Sequence, residues 1–121
     1  MVEELRQDYE PSVHAPGDAR QDVAEFLVAV GHGELSSVAE LLASELITNS
    51  IVHAEGVVTL RASWANERLR VEVCDNGGRD SAVQSDPDVH GRGLRLVDEL
   101  ATYWGVHLLG SNGRETWFEL E

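Results

Sequence analysis

Glu45, Asn49 and His53 follow one another at intervals of four, and their types and spacing could do chemistry together. At roughly 100° per residue, a helix places the three on one stripe about 80° wide. Val38, Leu42 and Leu46 fall within or beside the same arc, so the polar stripe lies inside an apolar face. A carboxylate, an amide and an imidazole in that position are costly unless paired. They form either a satisfied internal network or the wall of a polar cavity. Glu45 and Asn49 would present two oxygens one turn apart, which suits a hard cation such as Mg²⁺ or a water held between them.

Two further places invite chemistry. Leu69, Val71 and Val73 alternate with Arg70, Glu72 and Cys74, and the same period puts Asp75 on the apolar face at a strand end. Asn76-Gly77-Gly78 follows at once, where the backbone turns and another group can approach closely. Asp75 either caps that turn or points a carboxylate into the interior. Later, Gly91-Arg92-Gly93-Leu94 opens a helical stripe of Leu94, Val97, Leu100 and Ala101 that should run to Gly105. A glycine-flanked helix start offers unpaired N–H groups and a positive dipole end to a phosphate, and needs no lysine to do so.

The elements that must position these residues read as follows. A first helix runs from Asp18, a candidate N-cap, through Val23, Phe26, Leu27 and Val30 to Gly31 and Gly33, with residues 10–17 as a loose connection. A second helix begins at the capping box Ser37-Val38-Ala39-Glu40 and ends near His53, before Gly56. Val58 to Trp64 and Leu69 to Cys74 alternate about a turn at Ala65-Asn66-Glu67-Arg68, an antiparallel hairpin. A last hairpin joins Val106–Leu109 to Arg114–Leu120 through Ser111-Asn112-Gly113, with Thr116, Phe118 and Leu120 on the inward face. A first strand is expected within residues 5–14. The whole is an α+β, two-layer sandwich: a mixed, mostly antiparallel sheet of about five strands with three helices on one face, a single domain over residues 1–121.

Composition narrows the chemistry. All nine basic residues are arginine, against 22 Asp and Glu, for a net charge of -13. A chain without lysine has no Walker-A lysine, no Schiff-base lysine and no pyridoxal-phosphate site. Its acidity argues against direct nucleic-acid binding; it either favours a basic protein partner or serves solubility alone. Cys74 is the only cysteine, there is no apolar leader, and no stretch of about 18 consecutive apolar residues spans a membrane; the reading is a soluble cytoplasmic protein. Asp86-Pro87-Asp88-Val89-His90 reads as a solvated loop, and Ser50, His53 and Asp75 lack the nucleophile elbow of a hydrolase triad.

Taken in order, Glu45-x3-Asn49-x3-His53, Asp75-Asn76-Gly77-Gly78, Gly91-Arg92-Gly93-Leu94 and Gly113-Arg114-Glu115-Thr116-Trp117 cover most of the chain. Over about residues 14–121 it resembles the anti-sigma regulatory factor family, serine kinases with the ATP-binding fold of histidine kinases, gyrase and mismatch-repair ATPases. The resemblance implies that ATP and Mg²⁺ are the cofactors. Glu45 would orient or deprotonate the attacking hydroxyl, and Asn49 would ligate Mg²⁺. Asp75 would accept a hydrogen bond from the adenine amino group, with Gly77 and Gly78 letting the base lie against the backbone. Gly91, Arg92, Gly93 and Leu94 would hold phosphate below a lid formed by residues 79–90, and Thr116 would help bind adenine. Ser50 stands where the family commonly has Ala, Arg114 where it has Lys, and the lid lacks a proline common there.

The implied activity is phosphorylation of a serine or threonine on an anti-anti-sigma partner. The other reading is a module that sequesters a sigma factor or similar regulator, with ATP structural or absent. A homodimer is implied by the resemblance alone.

Overall fold

A computed structural model describes residues 3–76, 92–110 and 113–121. Strand β1 (Glu3–Tyr9) is followed by helix α1 (Ala15–Ala29), a single 3-10 turn (Gly33–Leu35) and helix α2 (Ser36–His53). Strands β2 (Val58–Ala65) and β3 (Arg68–Asp75), helix α3 (Arg92–Leu100), and strands β4 (Tyr103–Leu109) and β5 (Gly113–Leu120) complete the elements of the described residues. The strand order is β1-β2-β3-β5-β4, and all four pairings run antiparallel.

Period-two alternation builds one face of this sheet. Leu60, Ala62, Leu69, Val71, Val73, Phe118 and Leu120 are buried, as is Val97 of α3, and they meet Val23 and Leu27 of α1 and Leu42, Leu46 and Ile47 of α2 in one core. Fully burying each such side chain contributes about 1.5–3 kcal/mol. The β2–β3 turn has Asn66 and Glu67 at φ 54° and 59°. Two successive positive φ angles give the turn twist that matches a two-residue hairpin, and Asn tolerates that conformation better than most residues.

Helix α2 lies at the centre, in contact with α1, α3 and the sheet. Gly33–His53 is long and apolar enough to cross a membrane by length and composition alone, with a mean hydropathy of 1.2. In this fold Ala39, Leu42, Ala43, Leu46 and Ile47 go into the core while Leu41 and Val52 stay exposed, so the helix is a core helix with one open side.

Several element boundaries differ from the sequence reading. Helix α1 starts at Ala15, not at Asp18: Pro16 sits in its first turn, where a missing N–H costs nothing, and Asp18 lies in that turn against the dipole. Its other end closes as expected at Gly31 (φ 84°), with His32 N–H donating to Leu27 C=O at 2.8 Å and Gly31 N–H to Val28 C=O at 3.0 Å. No capping box forms at α2. The 3-10 turn delivers the backbone already in helical conformation at Leu35, and helix formation begins at Ser36 without a side-chain cap. Helix α3 ends at Leu100, which is 43% exposed, and the chain turns into β4, so that Gly105 is a mid-strand residue. Its missing Cβ makes room for the Trp117 indole across the β4–β5 pair, 3.0 Å from where that atom would lie.

Candidate functional site

Asp75 ends β3 on the buried face, as the alternation requires, and is 8% exposed. Its cross-strand partner on β5 is Arg114, and the next inward pair is Val73 with Thr116. Arg114 Nη2 donates to Asp75 Oδ2 at 3.3 Å, and the two side chains are only 5% and 1% exposed. The carboxylate therefore points into the interior and is held by a buried cation. An interior ion pair of this kind gains little net stability over apolar residues, but removing one partner strands the other charge.

The C-terminal end of helix α2 reaches the same end of the sheet. Asn49 is buried at 8% and Ser50 completely, while Glu45 and His53 are half-buried. Glu45 is thus accessible enough to meet an incoming group, and Asn49 offers its amide from a drier position. The exit of α2 is tied to the end of β3: Glu55 N–H donates to Asn76 Oδ1 at 3.0 Å, and Gly56, at φ 80°, turns the chain beside Asn76 into β2. That junction places the last turn of α2, which carries Asn49, Ser50 and His53, near Asp75.

Three buried polar atoms of this region have no hydrogen-bond partner among the described residues: Ser50 Oγ, Thr116 Oγ1 and Arg114 Nε. Buried hydroxyls and guanidinium N–H groups are seldom left so. With the Asp75 carboxylate they make a set of donors and acceptors suited to a planar heterocycle that has both kinds of group on its edge. The sequence reading did not assign Ser50 or Arg114 to the nucleotide site. The signal for Arg114 was present, since it shares the parity of Thr116, Phe118 and Leu120 on β5.

Helix α3 begins at Arg92, has Gly93 in its first turn and buries Leu94 at 4%. Gly77, Gly78, Gly91 and the segment 79–90 lie outside the described residues. No group of three or more His, Cys, Asp or Glu among the described residues could hold a metal.

The opposite face of the sheet is chemically different. Arg70 donates to Glu72 at 2.7 Å and to Glu119 at 2.9 Å, Arg68 pairs with Glu119 and Glu121, and the Arg70 guanidinium lies 4.2 Å over the Trp117 ring. A hollow of about 420 Å³ opens there, lined by Ser63, Ala65, Asn66, Arg68, Arg70 and Glu119. Its arginines are already neutralised, and the Asp75 pair is on the other side of the sheet. Cys74 also faces this side, where burial, followed by the charge of Glu115, pushes its thiol up to about 11. It is not a nucleophile at neutral pH.

With this geometry in place, the comparison with known families is decisive: the profile described as "Histidine kinase-like ATPase domain" matches residues 11–119. The chain belongs to the histidine kinase-like ATPase domain family. The fold agrees. A crystal structure of the RsbU and RsbW domains of Rv1364c from Mycobacterium tuberculosis superposes with a TM-score of 0.75 over 98% of this chain, at 17% identity. The present chain spans 32% of the length of that one. None of the curated proteins compared matches it. As a histidine kinase-like ATPase domain the chain is an ATP-binding protein, and the inward carboxylate with its unsatisfied neighbours fits a purine base.

Proposed function

We propose that this histidine kinase-like ATPase domain is an anti-sigma serine/threonine kinase that phosphorylates an anti-anti-sigma partner with Mg²⁺-bound ATP. The observation that supports this reading is the junction of α2 with β3: Glu55, just past the helix that carries half-buried Glu45 and buried Asn49, donates to Asn76, the residue after inward-facing Asp75. Likeness to a chain bearing an RsbW domain supports the anti-sigma branch.

In this reading Asp75 accepts from the adenine amino group and Thr116 supports the base. The amides from Gly91 to Leu94 at the start of α3 hold phosphate, and Asn49 ligates Mg²⁺. Bound ATP supplies a transferable phosphoryl group. Glu45 orients the hydroxyl of the partner and takes up its proton, and because a carboxylate is a weak base toward an alcohol, most of its contribution is positioning. The net charge of -13 suits docking on basic surfaces of a sigma factor, an interaction that weakens as salt rises. The protein acts in the cytoplasm, as a homodimer.

Transfer of labelled γ-phosphate tests the reading. Incubated with native cytosol, the wild type should label a serine or threonine of one small protein. Glu45→Gln should lose that transfer by about a hundredfold or more while keeping its ATP affinity. A stable complex with the partner and no label would instead favour a sequestering module.

A further inference from the structure

Arg114 is held on the buried face of β5, opposite Asp75, with one guanidinium nitrogen 3.3 Å from the carboxylate. Its Nε is fully buried and has no partner among the described residues, and Thr116 Oγ1, the next inward group on the same strand, is in the same state. A guanidinium presents its donors in one rigid plane. With Nη2 on Asp75 and the side chain 5% exposed, the Nε–H of the same plane lies close to that carboxylate. A charged donor buried without an acceptor is more costly than a neutral one. An acceptor lying beside a donor to Asp75 would satisfy it.

Resting on the nucleotide reading above, we propose that Arg114 is a specificity-determining residue that reads the purine ring. Asp75 accepts from the exocyclic amino group, and Arg114 donates through Nε to N1, the ring nitrogen next to it. The pair thus recognises a donor and an acceptor side by side, the pattern of adenine. Hypoxanthine reverses both groups, offering an oxygen to the carboxylate and an N–H to the guanidinium. A lysine at this position would supply charge without the planar fork, so Arg114 adds a directional contact that a point charge lacks.

The test is calorimetric titration of the intact chain with ADP and with 1-deaza-ADP, in which a C–H replaces N1. The wild type should bind ADP about tenfold more tightly, the worth of one good hydrogen bond. In Arg114→Met that ratio should fall to about one, and in Arg114→Lys, which keeps a positive charge beside Asp75 and so preserves folding, to below about threefold. Equal affinities in the wild type, or a ratio unchanged in Arg114→Lys, overturn the proposal while leaving the site a nucleotide site. A wild-type protein that binds no ADP overturns the nucleotide reading and this one together.

Discussion

The side chain of Asn76 and the backbone of Glu55, 21 positions apart, close the junction on which the site depends: Glu55 N–H donates to Asn76 Oδ1 at 3.0 Å. Asn76 directly follows Asp75, and Glu55 follows the last turn of α2. One side chain thus couples the strand that carries the inward carboxylate to the helix that carries Glu45 and Asn49.

Replacing it tests that coupling. Asn76→Ala should lower stability by about 1 kcal/mol, the net worth of an ordinary hydrogen bond, and reduce ATP affinity in parallel. Thermal unfolding and calorimetry on the same variant check both. A stability loss with unchanged affinity would show that the junction does not position the site.

The Asp75–Arg114 pair predicts a non-additive cycle. Asp75→Leu or Arg114→Met alone strands a buried charge and should cost about 3–5 kcal/mol. The double variant should recover most of that stability and still fail to bind ATP, as read by urea denaturation and titration. Single effects that simply add would show that the two groups are not coupled.

Phosphate binding in a chain without lysine should lean on the cation. Excess chelator is expected to weaken ATP binding by about tenfold or more, and Asn49→Ala should bind ATP as weakly with Mg²⁺ as the wild type does without it. Equal wild-type affinity with and without chelator would remove Mg²⁺ from the binding step.

Cys74 gives a pH prediction. Burial first, then Glu115, raises its thiol from 9.0 to about 11, so the folded protein holds this proton more tightly than the unfolded chain. Its contribution to stability is complete below about pH 9 and erodes as pH rises toward 11. At pH 8 the native thiol should alkylate roughly a hundredfold more slowly than the thiol in denaturant. Comparable rates in the two states would contradict the burial.

Local pattern carried much of this molecule. The alternation that buries Val71, Val73 and Asp75 on one side and leaves Cys74 on the other held, as did the inward face of Thr116, Phe118 and Leu120 and the arrest of α1 at Gly31. It failed where a residue's meaning depends on its surroundings. Pro16 and Gly17 read as a break but lie within a helix, and Gly105 read as a helix stop but clears space for Trp117.

By itself the sequence determined which faces are apolar and where Glu45, Asn49 and Asp75 stand on their elements, and lysine's absence excluded a lysine-held phosphate. Periodicity fixes a side chain's face because it depends only on backbone geometry. The tertiary structure decided what lies across from each face. Asp75 meets Arg114 because β3 and β5, 39 residues apart at that pair, align in one antiparallel register, and a register between distant strands is settled only when the whole core packs.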